Sequence, residues 1–243
     1  MATSTQSIRE IIAAQSSAAV VLERFDIDLC VRANQSLGHA CAELQLSTDQ
    51  VLEKLSDAAA REHGIAPADV ATYSLGRLIQ HIVRTHHQYV RRELPRLGSL
   101  AQKLAGKHGE RAPELKQIEG ILGDLCADMF AHIQKEEQVL FPFIAEMDQD
   151  RDATGCLPRG CFGSVSQPIA MMVMEHGLAE NLVTEIRNLT GGFTPPAWAC
   201  PTQLAFYAGL REFAADLRQH VHLENDLLFP RAIAREAELN RRG

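Results

Sequence analysis

Aromatic residues are scarce in this chain, 5% with one Trp and three Tyr, and alternating β-branched or aromatic runs are hard to find. That absence argues against a sheet-built fold. No apolar run approaches the roughly 18 to 20 residues that cross a bilayer, and residues 1–17 lack a basic segment followed by an apolar core. The protein is therefore expected to make no membrane contact and to stay in the cytoplasm. Long Lys/Arg runs are missing too, and the formal charge is −7. Nucleic acid is set aside on that ground, because phosphate contact needs a dense basic patch. The six cysteines, at positions 30, 41, 126, 156, 161 and 200, form no Cys-x-x-Cys and are read as free thiols rather than a disulfide framework.

What the chain has instead is Leu, Ala, Glu and Arg at helical spacing, and ten histidines. The fold class read from this is all-α. Residues 1–62 read as a small helical domain with helices Ile8 to Phe25, Ser36 to Glu43 and Thr48 to Glu62. Residues 63–73, opening on His63-Gly-Ile-Ala-Pro67, read as a linker. Residues 74–243 hold four long helical segments, about Ser74 to Leu104, Pro113 to Met147, Pro168 to Asn188 and Thr202 to Glu238. Pro95, Pro142 and Pro230 are expected to kink or end them locally. Four such segments imply an up-down four-helix bundle, a fold that builds metal sites from inward side chains.

An internal echo singles out two of these helices. His132-Ile-Gln-Lys-Glu136-Glu-Gln-Val-Leu-Phe-Pro142 and His220-Val-His-Leu-Glu224-Asn-Asp-Leu-Leu-Phe-Pro230 both read H-x-x-x-E-x-x-x-L-F-P. Residues at i and i+4 lie one turn apart on one helix face, so each pair presents an imidazole and a carboxylate together. Around His132 that face carries Leu125, Met129, Val139, Leu140 and Phe143; around His220 it carries Phe213, Leu217, Leu227 and Leu228. Both pairs fall on the core stripe.

The same facing test sorts the remaining histidines. His86 lies with Ile79, Ile82, Val83, Val90 and Leu97, and His176 with Ile169, Met172, Val173, Ala179 and Val183, so both join the candidate set. His87 faces Gln80, Arg84 and Arg91, His81 faces Arg77, Arg84 and Gln88, and His222 sits among Arg218, Gln219, Asn225 and Asp226; all three read as surface residues. His108 lies 22 residues past His86, about 33 Å along a continuous helix, and is kept as a ligand of an alternative state. Asp128 and Asp216, four residues before the paired histidines, are candidates for orienting the imidazoles, with a solvated face as the alternative.

One histidine on an apolar face is commonly a hydrogen-bonded core residue. Four of them with two buried carboxylates on four helices are not, because unpaired buried carboxylates are costly and metal is the usual compensation. The metal ligands read from the sequence are therefore His86, His132, Glu136, His176, His220 and Glu224. Four imidazoles and two carboxylates suit iron or manganese at two adjacent positions rather than a Cys-rich structural zinc, and iron is preferred. Ferritin-like oxidases use Glu-x-x-His and more carboxylates. The reversed order here points away from them and toward a dinuclear centre that binds a diatomic gas.

The chain resembles the repair-of-iron-centres family, the YtfE or ScdA proteins, called NorA or DnrN where they accompany denitrification. The carriers are Val21-Leu-Glu-Arg-Phe-Asp-Ile-Asp-Leu-Cys30, Ser36-Leu37, Ala40-Cys41, Ile82-Val-Arg-Thr-His86, Glu93-Leu-Pro95, the two Leu-Phe-Pro segments and Met174-Glu-His176. The resemblance implies a hemerythrin-like fold behind a small N-terminal domain, and two non-haem irons with carboxylate and oxo or hydroxo bridges. It also implies a cytoplasmic role in nitrosative or oxidative stress. The family's small domain typically carries two adjacent cysteines, whereas here Cys30 is followed by Val31 and Arg32. A mechanism that passes iron or a nitrosyl group to a vicinal thiol pair is therefore not supported.

The function expected from the sequence is nitric oxide binding by the di-iron centre, lowering or sensing the gas in the cytoplasm. The alternative is an iron donor that repairs iron–sulfur proteins. A third reading, reduction of nitric oxide, needs an electron source that the sequence does not reveal.

Overall fold

The structure, a computed structural model, describes residues 2–15, 17–29, 31–63, 70–148 and 163–242. Cys30, Cys156, Cys161, most of the expected hinge and residues 149–162 of the loop after the second long helix lie outside the described residues. Among the described residues the chain is helical, with no strand and one isolated antiparallel bridge between Ser7 and Ser36. No described helix is long and apolar enough to cross a membrane.

The chain forms two compact units, and each draws on several stretches of sequence. The first comprises Met1–Ala68, Ser99–Gln117 and Arg187–Glu212. Its N-terminal part holds α1 (Ile8–Ala14), α2 (Ala18–Arg24), α3 (Leu37–Glu43) and α4 (Thr48–His63). The single helix expected from Ile8 to Phe25 is broken because Gln15 is extended, at φ −142° and ψ 113°. Helices of seven residues do not persist alone, so caps and burial hold them. The Ser7 hydroxyl accepts from the Glu10 N–H at 3.3 Å, while the Glu10 carboxylate accepts from the Ser7 N–H at 2.9 Å, a closed capping box. Ile8, Ile11, Leu22, Leu37, Val51 and Leu55 pack into one core together with Ala205. Each large side chain so buried contributes about 1.5–3 kcal/mol.

The second unit comprises Asp69–Gly98, Ile118–Ile186 and Phe213–Gly243. It is built on four helical runs, parts of which belong to the first unit. The first run is α5 (Leu75–Ile82), a π turn (Val83–His87) and α6 (Gln88–His108); the second is α7 (Glu114–Lys135), a π turn (Glu136–Leu140) and α8 (Phe141–Asp148). The third is the uninterrupted α9 (Ser166–Leu189), and the fourth is α10 (Pro201–His222), a π turn (Leu223–Leu228) and α11 (Phe229–Arg242). Leu78, Ile82, Phe141, Ile144, Met172 and Phe229 fill its core. Polar anchors fix the ends: the Ser74 hydroxyl caps α5 through the Arg77 N–H, and the Asp148 carboxylate accepts from the Gly76 N–H at 2.9 Å. The Glu236 carboxylate accepts from the Ser164 hydroxyl at 2.7 Å and the Val165 N–H at 2.8 Å, tying the start of α9 to α11.

The three π turns shape everything that follows. In each, an N–H reaches back five residues instead of four: Gln88 to Val83, Phe141 to Glu136 and Phe229 to Glu224. One extra residue per turn shifts every later side chain by one position around the helix. Two of the turns stand just before Pro142 and Pro230. A proline has no N–H and its ring crowds the carbonyl four residues back, a conflict that a widened turn relieves. Neither proline ends its run, and Pro95 lies inside α6 without breaking it.

Candidate metal centre

Six buried side chains converge in the second unit, from all four runs. They form two groups, His87, Glu136, His220 and Glu224, and His132, Glu136, His176 and Glu224, in each of which the donor atoms lie within 4.8 Å of one another. Both glutamates belong to both groups.

The imidazoles are turned so that their Nε2 atoms meet. His87 Nε2 stands 3.2 Å from His220 Nε2, and His132 Nε2 stands 3.0 Å from His176 Nε2. His87 and His132 Nε2 also approach Glu136 Oε2 at 3.3 and 3.4 Å. On the other side, Glu224 Oε1 is 3.0 Å from His220 Nε2 and Glu224 Oε2 is 2.9 Å from His176 Nε2. Hydrogen bonding does not account for this crowding: both Glu136 oxygens and Glu224 Oε2 are buried without a hydrogen-bond partner of acceptable geometry. Buried carboxylate oxygens left so are rare and costly. The two groups could each hold a cation, which would satisfy these oxygens.

For three of the four histidines the outward nitrogen fixes the tautomer. His87 Nδ1 donates to Glu137 Oε1 at 2.8 Å, and Arg91 grips the same carboxylate through two nitrogens at 2.8 and 3.0 Å. His132 Nδ1 donates to Glu175 Oε2 at 2.9 Å, with Lys135 on the other Glu175 oxygen. His176 Nδ1 donates to Asn225 Oδ1 at 2.9 Å. An Nδ1 that carries the proton leaves Nε2 with its lone pair directed into the cluster, the form a metal requires.

The echo in the sequence now has a structural content. Phe141 stacks on His87 at 5.6 Å and 11°, and Phe229 stacks on His176 at 6.1 Å and 8°. Glu137, directly after Glu136, holds His87, and Asn225, directly after Glu224, holds His176. Each H-x-x-x-E-x-x-x-L-F-P segment therefore supplies two inward groups of its own and positions a histidine of the preceding run twice, by hydrogen bond and by ring.

Without metal, protons take the place of positive charge. Burial lowers the pKa of the His87 imidazolium, but the Glu136 and Glu224 carboxylates outweigh it and raise the value to about 10. His132 follows the same balance, with burial overcome mainly by Glu136, and rises to about 9. Burial raises Glu224, yet the surrounding His220, His176 and His87 hold its carboxyl well below the usual range.

The sequence expectation for the first run is corrected. His87, read as a surface residue, is 0% exposed and stands in the cluster; His86, read as a ligand, lies outside both groups. His86 is buried too, but it donates from Nδ1 to Asp216 Oδ1 at 2.9 Å and stacks on His220 at 5.8 Å and 8°. The physical reason is the π turn. A uniform 3.6-residue wheel aligns position 86 with Ile82, whereas the widened turn carries the inward row from Ile82 across five residues to His87 and on to Val90, Leu94 and Leu97. That five-residue step between two regular apolar rows was the signal available in the sequence.

The other candidates separate cleanly. Asp216 bonds His86 rather than His220, and Asp128 is exposed on α7. His108 belongs to the first unit, where its ring lies 5.7 Å from Trp198, and it is not part of the cluster. Cys30 lies outside the described residues. His81 is half-buried, and His222 is exposed and paired with Asp226 at 2.6 Å.

An all-helical unit that gathers histidines and glutamates in this way belongs to a known class: residues 78–232 match the family described as hemerythrin HHE cation binding domain. Curated relatives extend the likeness to nearly the whole chain. The iron-sulfur cluster repair protein YtfE of Enterobacter sp. (strain 638) is 33% identical over 236 residues, 97% of this chain and 100% of the relative. A probable iron-sulfur cluster repair protein of Haemophilus influenzae is 32% identical over 233 residues, 96% of this chain and 99% of the relative. The chain belongs to the repair-of-iron-centres family of hemerythrin-type proteins.

Proposed function

We propose that Glu136 and Glu224 bridge two iron ions, one also held by His87 and His220 and the other by His132 and His176, and that the protein repairs damaged iron–sulfur clusters. The observation that carries this is the pair of buried donor groups sharing both glutamates, in a chain alike over nearly its full length to proteins named for cluster repair. Histidine and carboxylate donors without thiolate suit iron better than a structural zinc. When bound, the irons supply an exchangeable, redox-active metal pair. The chain's own part is to orient four Nε2 lone pairs and to hold two carboxylates where each faces both positions. Iron–sulfur proteins with damaged clusters are the partners on this reading.

The test is recovery of an iron–sulfur enzyme whose cluster has been damaged by oxidant. Iron-loaded protein is expected to restore activity well beyond an equal amount of free ferrous iron, and Glu136→Ala to abolish the gain. Recovery no better than free iron contradicts the proposal.

Nitric oxide binding, the leading expectation from the sequence, stands second, because the relatives' names speak for repair. Its support is coordination arithmetic: each group has four residues, fewer than the six donors an octahedral ion takes, so each ion keeps positions for an outside ligand. Titration of the reduced protein with nitric oxide, followed by its optical spectrum, tests it; an unchanged spectrum removes it.

A further inference from the structure

On the di-iron reading, the two metal positions look equivalent from their nearest donors, two histidines and two shared glutamates each. They differ one layer out. In the His132 and His176 group both outward nitrogens are held, by Glu175 and by Asn225, each at 2.9 Å. In the His87 and His220 group only His87 is held, by Glu137 at 2.8 Å. His220 Nδ1 is buried with no hydrogen-bond partner.

The internal repeat shows where the missing acceptor would stand. Glu175, the residue before His176 on α9, reaches across to His132 of the second run. The corresponding residue on the first run, directly before His87, is His86, and it lies against His220 of the fourth run. There the chain places an imidazole instead of a carboxylate. His86 meets His220 face to face at 5.8 Å and directs its own Nδ1 to Asp216, whose Oδ1 it occupies at 2.9 Å, while Asp216 Oδ2 is buried without a partner. Asp216 is one turn before His220 on α10, yet it serves His86. Stacking restrains the tilt of the His220 ring, but it neither fixes the tautomer nor raises the basicity of Nε2, as a hydrogen-bonded acceptor does.

We infer that the two positions are unequal, and that the ion held by His87 and His220 is the one the protein gives up first. This rests on the di-iron reading and gives repair a direction: one exchangeable ion is released beside one retained ion. Loss of an outer acceptor typically weakens metal binding 10- to 100-fold, so the two ions are expected to leave at rates roughly 10- to 100-fold apart.

The test uses the full chain loaded with two ferrous ions, exposed anaerobically to excess ferrous chelator, with release followed optically and retained iron by metal analysis. Two phases of equal amplitude are expected, with an intermediate retaining one ion per chain. Asn225→Leu removes the acceptor behind His176 and is expected to accelerate the slow phase toward the fast one, leaving the fast phase unchanged. Loss of both ions in one phase from the unmodified protein overturns the inference, as does an Asn225→Leu protein in which only the fast phase changes. A protein that never takes up two ions overturns the di-iron reading itself, and this inference with it, which separates the two failures. The unmodified protein alone decides the main point, so the inference does not depend on the variant folding.

Discussion

The first two helical runs and the last two perform the same task with different neighbours. Each pair contributes one H-x-x-x-E-x-x-x-L-F-P segment, one inward histidine from the run before it, and one phenylalanine stacked on that histidine. The difference lies in the run that carries the lone histidine: the first is widened by a π turn at Val83–His87, while α9 is regular from Ser166 to Leu189. Related helical halves can thus present equivalent donors to a shared centre while surrounding them unequally, and it is the surroundings that set how firmly each donor is held.

The glutamates are where the halves depend on each other, so the largest expected effect comes from them. Glu136 belongs to one half and Glu224 to the other, and each serves both groups. Glu136→Ala and Glu224→Ala are each expected to lower bound metal from two ions per chain to less than one, as read by metal analysis. A variant that keeps two ions would show that its glutamate is not shared.

The phenylalanines sharpen the comparison. Phe141 and Phe229 are both buried at 2% exposure, each beneath a site histidine. Truncating either to Ala is expected to cost about 3–5 kcal/mol, and the two costs, measured by denaturant unfolding, should match within about 1 kcal/mol if the halves are packed alike.

The proton balance of the metal-free protein gives a smaller effect with a definite sign. His87 and His132 hold protons to about pH 10 and about pH 9 in the folded state, against about 6.5 in the unfolded chain. Their contribution is fully present below about pH 6.5 and is lost as pH rises through those folded values. For each such group stability falls by about 1.4 kcal/mol per pH unit within that window, or roughly 3–6 °C in Tm. Metal displaces these protons, so the loaded protein should not show the decline. A metal-free Tm that rises between pH 7 and pH 9 would contradict the assignment.

At the small end stand the cations behind the outer carboxylates. Arg91 on Glu137 and Lys135 on Glu175 are 43% and 46% exposed at the side chain. Exposed ion pairs contribute about 0–1 kcal/mol. Arg91→Met and Lys135→Met are expected to shift Tm by no more than a few degrees and to leave the metal count at two.

Much of this was legible in the sequence, and the departure at the first-run histidine has a single physical origin. The helical class and the four runs follow from 3.6-residue periodicity, and the i, i+4 histidine–glutamate pairs from the echo between the second and fourth runs. The α9 wheel placed His176 inward because that helix is regular. A uniform wheel favours position 86 over position 87 because it cannot represent the π turn at Val83–His87. In the other two runs the widened turn begins after the paired histidine, so the i, i+4 spacing survives it. The outer partners Glu137, Glu175 and Asn225 were not legible, since each acts across a helix interface that spacing within one helix does not encode.

The most direct test of the account is ferrous titration of the metal-free protein alongside His86→Ala and His87→Ala. The unmodified protein and His86→Ala should each take up two equivalents per chain, while His87→Ala should stop at one or fewer. Two equivalents in His87→Ala, with loss in His86→Ala, would contradict it and return the first-run ligand to position 86.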